Sequence, residues 1–359
     1  MKPRAVLLGC AVGAAFLTPT AAMAATKTVF MGLPSQKIGK SFQKLNGDDN
    51  AFFPRSTTIH RGDKVSFVVT GFHTLDLPAK GVSPLALLAP TGTTLAGQND
   101  AAGQPFWFNG QPELGFNPPL LASGFGKHFT YTGAKRVESG LPVANNPKPV
   151  LVTFKKAGTY TYFCDVHAGM KGTIHVVASS HKVPSAAADA KSVATQAANA
   201  LKILKSINQT TVGSSVVQIG ASGKNGVESY NFFPATSSVK VGTTVTFRMP
   251  VTSTEVHTAT TGPGDPLKQP NSYLGQLAAS FTSPVIAGAA LYPSDQPGGT
   301  PASLTPTLHG NGFWNAGVLD TNINSPLPAA NQVTFAGAGT YQFYCLIHPF
   351  MHATVTVTS

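Results

Sequence analysis

Cysteine and charge are both scarce in this sequence. Only three of the 359 residues are cysteine, and Asp, Glu, Lys and Arg together make up 11%. So few cysteines exclude a disulfide-dense scaffold, which a chain of this length does not need in order to bury a core. The 25 Lys and Arg residues are dispersed and accompany no base-stacking motif. This pattern excludes a nucleic-acid-binding function.

Glycine and proline are plentiful instead, with 36 and 28 residues respectively. Long helical periodicities are rare, whereas short segments of alternating apolar and polar residues recur along the chain. This balance favours many short strands joined by turns. We therefore predict an all-β fold, and the length suits two domains of ordinary size.

The N-terminus has the pattern of an export signal. Lys2 and Arg4 form a short positive region, residues 5–17 are apolar, and residues 22–24 supply small side chains where signal peptidase cuts. This apolar run is too short to span a bilayer, and no second run of membrane length occurs. We predict a signal peptide over residues 1–24 and an exported protein, periplasmic or extracellular, without stable membrane insertion.

The mature chain keeps one cysteine near the end of each half. Cys10 leaves with the signal peptide, so Cys164 and Cys345 remain. Lipid attachment at Cys10 is an alternative, although almost no apolar segment would precede that cut. A disulfide between equivalent positions of two separate sandwiches is geometrically awkward. Metal ligation is the better interpretation of both remaining cysteines.

The two halves are copies of one unit at an offset of about 181 residues. The spacing from the first matched histidine to the cysteine is 91 residues in one copy and 88 in the other. Agreement at both ends of such long segments indicates a duplication. The matched pairs include Phe52-Phe53-Pro54 with Phe232-Phe233-Pro234, Gly158-Thr159-Tyr160 with Gly339-Thr340-Tyr341, and His73-Thr74 with His257-Thr258.

The duplication also predicts the domain organisation. In the segment between the copies, Val193, Ala197, Leu201 and Leu204 recur at helical spacing, which predicts a short amphipathic helix. This helix either docks on a sandwich or acts as a semi-rigid spacer, and the sequence leaves both open. The predicted divisions are a first domain over 25–178, a linker over 179–211 and a second domain over 212–359.

Each copy carries the donor set that a type 1 copper site requires. Such a site needs two imidazoles and a thiolate in a near-trigonal plane, with a weak thioether on the axis. The spacing Cys-x-x-His-x-x-Met lets one tight loop supply three ligands, while the other histidine comes from a distant strand. We predict one copper ion per domain, two per chain. The candidate ligands are His73, Cys164, His167 and Met170 in the first copy, and His257, Cys345, His348 and Met351 in the second.

Both copies resemble the plastocyanin, amicyanin and pseudoazurin group of blue copper proteins, the cupredoxins. The shared pattern runs from Gly-x-x-Val-x-Phe through the first histidine to Gly-Thr-Tyr-x-x-x-Cys-x-x-His-x-x-Met. The resemblance implies an eight-stranded Greek-key β-sandwich in each domain and one-electron transfer with redox partner proteins. It also implies that electrons leave through an exposed edge of His167 or His348. The copies depart from the family over 80–145 and 262–330, which we predict to be long loops or insertions with a few short strands.

Electron transfer is favoured over catalysis because four protein ligands leave no open position for a substrate. Multicopper oxidases and copper nitrite reductases resemble one another in using additional histidines, commonly as His-x-His pairs or beside the type 1 cysteine. None of the ten histidines here is separated from another by one residue, and Phe163 and Tyr344 precede the cysteines. We therefore predict a carrier and not an enzyme. Copper storage or delivery stays open, because the same ligands serve that role.

Overall fold

The computed structural model describes residues 24–322, 325 and 327–359. Except for Ala24, the predicted signal peptide over 1–24 lies outside the described residues. Within them the chain forms two β-sandwiches, with one long helix in the segment between them. The predicted fold class is therefore confirmed. No helix in these ranges is long and apolar enough to cross a membrane.

The first half forms a sandwich of two five-stranded sheets. Its elements are β1 (Thr26–Met31), α1 (Gln36–Gln43), β2 (Gly47–Asp49), β3 (Phe52–Phe53), β4 (Ser56–His60), β5 (Lys64–Val69), β6 (Asp76–Leu77), β7 (Leu88–Thr94), β8 (Pro112–Phe116), β9 (His128–Tyr131), β10 (Val137–Glu138), β11 (Val150–Phe154), β12 (Gly158–Phe163) and β13 (Lys171–Val177). The sheet orders are β3-β1-β5-β11-β9 and β10-β6-β12-β13-β4. From β3 to β12, apart from the separate hairpin of β7 and β8, successive strands alternate between the two sheets, as in a Greek-key sandwich.

The linker helix α2 (Ala186–Ile207) agrees closely with the periodicity of its apolar residues. Ser185 caps its first turn by accepting a hydrogen bond from the backbone N–H of Ala188. On the apolar face, Ala197, Ala200 and Leu204 are buried in a cluster with residues of both halves. The helix is therefore docked by its C-terminal half and does not act as a free spacer.

The second half repeats the sandwich. Its elements are β14 (Val216–Ser222), β15 (Val227–Phe233), β16 (Thr236–Lys240), β17 (Thr244–Arg248), β18 (Thr260–Thr261), α3 (Tyr273–Ser280), α4 (Gly288–Leu291), β19 (Ala302–Leu304), β20 (Trp314–Asn315), β21 (Ala330–Phe335), β22 (Gly339–Tyr344) and β23 (His352–Thr358). The sheet orders are β19-β21-β17-β14-β15-β2 and β16-β23-β22-β18-β20. Apart from β2, the strands correspond to those of the first sandwich in sequence order.

The core of each sandwich lies directly against its cysteine. Alternation along β5 buries Val65 and Phe67 between the sheets, and the same alternation in β17 buries Val245 and Phe247. Cys164 belongs to the apolar cluster of the first core and Cys345 to that of the second. Close packing of these cores fixes the strands that carry the cysteines.

A strand from the first half completes a sheet of the second. β2 pairs antiparallel with β15, aligning Asp49 with Val227 and Gly47 with Ser229. A Cβ atom on Gly47 would lie 2.4 Å from Cδ1 of Leu204, so only glycine allows this approach of β2 and α2. The two sandwiches therefore share a hydrogen-bonded sheet as well as a linker.

The long segments predicted as loops also join the two halves. β7 and β8 form a hairpin, and Phe116 donates its backbone N–H to the carbonyl of Pro284 at 3.0 Å. Trp107 donates its indole N–H to the carbonyl of Pro293 at 2.8 Å. Apolar residues of this segment share one buried cluster with α3 and α4. The boundaries predicted at 25–178 and 212–359 stay a prediction, and contacts cross them extensively.

Candidate metal centres

The first candidate centre brings His73, Cys164 and His167 together. Nδ1 of His73 lies 3.9 Å from Sγ of Cys164, and Nδ1 of His167 lies 3.5 Å from it. The two Nδ1 atoms are 3.0 Å apart. All three residues are buried, and the cysteine is a free thiol. Two nitrogen atoms and one sulfur atom thus face one another, although His73 and Cys164 are 91 positions apart in sequence.

The second candidate centre repeats this geometry with His257, Cys345 and His348. Nδ1 of His257 lies 3.7 Å from Sγ of Cys345, and Nδ1 of His348 lies 3.8 Å from it. The two Nδ1 atoms are 3.1 Å apart. Each half of the chain therefore builds its own cluster.

The spacing of these donors matches that around a three-coordinate metal. Metal–nitrogen bonds of about 2.0 Å and metal–sulfur bonds of about 2.3 Å give a trigonal plane N···S edges of about 3.7 Å and an N···N edge of about 3.5 Å. The N···S separations fall around that value in both centres. The shorter N···N separations correspond to a nitrogen–metal–nitrogen angle of about 100°. The three donors therefore fit one ion without rearrangement.

The methionines close the loops that carry the cysteine and second histidine. Cys164 donates its backbone N–H to the carbonyl of Met170 at 3.0 Å, and Cys345 does the same to Met351 at 3.1 Å. Both methionine side chains are buried in the same apolar clusters as the cysteines. Two imidazoles and a thiolate with a weak axial thioether are the donor set of a type 1 copper site.

The surroundings of each sulfur favour the thiolate that binds a metal. Burial alone raises the pKa of the Cys164 thiol, but hydrogen bonds and charge from His167 and His73 hold it well below its usual range. Burial acts on Cys345 in the same way, and His257 and His348 lower the pKa of that thiol. Each sulfur also accepts a backbone N–H at 3.4 Å, the donors being Thr74 and Thr258. Such hydrogen bonds around a ligating sulfur tune its redox potential.

A glycine makes room for the remote histidine in each half. A Cβ atom on Gly32 would lie 2.8 Å from Cδ2 and Nε2 of His73, and the φ of Gly32 is +97°. In the second half, a Cβ atom on Gly220 (φ +76°) would lie 3.0 Å from Nε2 of His257. Gly32 follows β1 and Gly220 lies within β14, the strands that open the two copies, so comparison of the copies could have found them.

The second histidines face the interface between the halves. Nε2 of His167 lies 3.2 Å from Oε1 of Glu255, and Nε2 of His348 lies 3.8 Å from Oε2 of the same carboxylate. The side chain of His167 is only 7% exposed and that of His348 is 19% exposed. Of the two histidines expected to offer an exposed edge, His167 is therefore the one that the second half of the chain covers, and His348 is the more exposed.

Glu255 was missed by the sequence analysis, although it is buried between the two centres. Burial raises its pKa, but the neighbouring His167 and His348 hold that pKa well below the usual range. The equivalent position in the first copy is Gly71. A residue present in only one copy carries no repeat signal, which is why the comparison of copies did not find it.

A cleft of about 890 Å³ opens above both centres. Its lining is mainly apolar, and it includes the imidazoles of His167 and His348 together with Glu255. Two phenylalanines beside it, Phe72 and Phe350, are 48% and 45% exposed. The cleft is therefore the place where solvent or another molecule comes nearest to the ligands.

A third cluster holds only carboxylates. Oxygen atoms of Asp76, Glu138 and Asp165 lie within 4.8 Å of one another beside the first centre. The guanidinium of Arg136 is paired with Asp76. Among the residues that the structure describes, this trio and the two Cys–His sets are the groups of three or more His, Cys, Asp or Glu side chains close enough to share an ion. Oxygen donors of this kind do not suit copper.

Comparison with known proteins returns structural matches. No family model matches the chain, and no curated protein matches it. A Cu(I) form of an amicyanin mutant is 20% identical over 42% of this chain and 87% of its own, with a TM-score of 0.21. Auracyanin A, a blue copper protein from the green thermophilic photosynthetic bacterium Chloroflexus aurantiacus, is 18% identical over 42% of this chain and 98% of its own, with a TM-score of 0.25. Both are cupredoxins, the group that the sequence resembles.

Proposed function

We propose that this chain is an exported electron-transfer protein that holds one type 1 copper ion in each half. The observation that carries the proposal is the twofold occurrence of two Nδ1 atoms and one Sγ atom at the spacing of a trigonal metal site. The ligands would be His73, Cys164, His167 and Met170 in one centre, and His257, Cys345, His348 and Met351 in the other.

A bound copper ion would supply reversible one-electron chemistry, and the residues around it favour that role. The rigid sandwich holds soft and borderline donors in one arrangement, which suits both oxidation states with little movement. Burial of each cysteine keeps water from its sulfur. With the methionine as the fourth ligand, the protein would leave no open position on the ion for a substrate, which supports a carrier and not an enzyme.

The surface around His348 supports docking of a redox partner there. Phe350 is 45% exposed and packs against the ring of His348 at a centroid separation of 6.1 Å. The side chain of His348 is also more exposed than that of His167. An apolar patch beside a ligand suits a transient protein–protein contact. We therefore assign the exchange of electrons with partners to the second half.

The test is to load the mature, full-length protein with copper and measure its metal content, visible spectrum and redox titration. Two copper ions per chain, intense thiolate-to-copper absorption and reversible reduction are the expected results. A protein that binds copper but stays colourless in the oxidised, Cu(II) state would contradict the ligand assignment. Rapid, complete loss of Cu(I) to an acceptor without reversible cycling would favour copper delivery instead.

A further inference from the structure

A single carboxylate joins the two candidate centres. The imidazole of His167 directs Nδ1 into the first centre and Nε2 to Oε1 of Glu255, at 3.2 Å. The imidazole of His348 directs Nδ1 into the second centre and Nε2 towards Oε2 of Glu255, at 3.8 Å. The first contact has the length of a hydrogen bond, and the second is an ion-pair distance. Each histidine thus faces its own centre with one nitrogen and the shared carboxylate with the other.

The carboxylate is held in this position by residues of both halves. Asn50 and Tyr230 each donate a side-chain hydrogen bond to Oε1 of Glu255 at 2.8 Å. The ring of Tyr230 also stacks on the ring of His348, with centroids 4.9 Å apart and planes 17° apart. Because these donors all meet Oε1, Oε2 remains directed to His348. A buried and fully oriented carboxylate of this kind fixes the rotation of both imidazoles.

We propose that Glu255 couples the two centres, so that one electron passes between the halves through His167, the Glu255 carboxylate and His348. The inference rests on the proposed function. One centre is oxidised by one electron as the other is reduced, and no proton or further reactant is consumed. His348 then exchanges electrons with partners at the cleft. The first centre, behind His167, gains and loses its electron only through the second centre.

The burial of His167 supports this direction of flow. Its Nε2 edge is covered by Glu255 from the second half, and its side chain is only 7% exposed. A partner at the surface therefore meets the second centre first. The second half thus covers the Nε2 edge of His167 and provides the Glu255 carboxylate there as a hydrogen-bond acceptor in place of solvent.

The experiment measures electron exchange within the copper-loaded, full-length chain. Met351→Gln in every sample changes the axial ligand of the second centre and separates the two absorption bands. A pulse of reductant then reduces one centre faster than the other. The electrons redistribute between the two centres in a following phase whose rate does not depend on protein concentration. Glu255→Leu is expected to slow this phase by at least about tenfold, equal to ~1.4 kcal/mol of barrier. An unchanged redistribution rate would overturn the inference.

Two further variants make the test specific. Glu228→Gln alters a buried carboxylate that accepts hydrogen bonds from Ser253 and Thr254, off the path between the histidines, and should leave the rate unchanged. Glu255→Gln keeps an oxygen for Asn50 and Tyr230 but turns an amide N–H₂ group towards the second histidine. It should also slow redistribution, and it replaces Glu255→Leu if that variant does not fold.

A second measurement does not depend on electron flow. In the diamagnetic Cu(I) protein, the Nε2–H of His167 should give a slowly exchanging proton NMR signal, because Glu255 accepts it in a buried site. Glu255→Leu should speed its exchange with water, whereas Glu228→Gln should not. A rapidly exchanging signal in the unaltered protein would contradict the coupling. Absence of thiolate-to-copper absorption after the unaltered protein is oxidised to the Cu(II) state would instead refute the proposed function.

Discussion

The docking of the linker helix gives the sharpest stability prediction. The side chain of Leu204 is fully buried in a cluster that includes Phe42 and Phe53 from the first half and Val227 from the second. Leu204→Ala removes three carbon atoms from this cluster and leaves a cavity against the Gly47 backbone. The loss of transfer free energy plus the cavity is expected to lower the unfolding free energy by about 3 kcal/mol. Urea unfolding of the copper-free protein, followed by circular dichroism, measures the change.

The matched control is Lys202→Ala in the same helix. Lys202 is exposed, and alanine is at least as good a helix former, so this variant should unfold within about 0.5 kcal/mol of the original protein. A loss below about 1 kcal/mol for Leu204→Ala would refute the reasoning, since it would mean that the helix is not packed against the sandwiches. A larger loss confined to Leu204→Ala would support a docked linker.

Three other predictions concern the centres and the shared sheet. Cys164→Ser and Cys345→Ser should each remove about half of the bound copper and of the visible absorption, because each centre has its own thiolate; metal analysis and spectroscopy check this. Gly32→Ala should weaken copper binding in the first half selectively, since the new methyl group would overlap the ring of His73. A titration of bound copper with a competing chelator measures the loss, and Cys164→Ser serves as the reference that lacks the first centre. Burial raises the pKa of Asp49 from 3.8 to about 7, so its stabilising contribution is complete below about pH 4 and is lost as the pH rises through 7. Asp49→Asn should therefore gain up to about 4 kcal/mol relative to the original protein between pH 4 and 8, measured by urea unfolding at both values.

The elements that carry the proposed ligands could be predicted because each of them occurs twice in the sequence. Alternating residues predict the strand before each cysteine at 159–163 and 340–344, and the structure has Gly158–Phe163 and Gly339–Tyr344. Alternation of apolar and polar residues specifies such strands locally, and the repeat fixes which segments are equivalent. The proximity of His73 to Cys164 followed from the same reasoning and from the family resemblance.

The interface between the halves could not be predicted, because it is built from residues without a counterpart in the other copy. β2 has only three residues and pairs with a strand about 180 positions away, so no local pattern specifies it. The hairpin of β7 and β8 lies in a segment rich in turn residues, and its partners lie in the other half of the chain. Glu255 stands where the first copy has Gly71. Periodicity reveals an element, but it does not reveal what that element packs against.

The sharing of β2 has a practical consequence for anyone who divides this protein. A second half expressed from residue 212 onwards would lack β2, and β15 would become an open sheet edge with unpaired N–H and C=O groups. It would also expose the apolar faces that α2 and the first-half hairpin now cover. Such a fragment should self-associate, whereas a chain nicked within the helix should stay together as a two-piece complex.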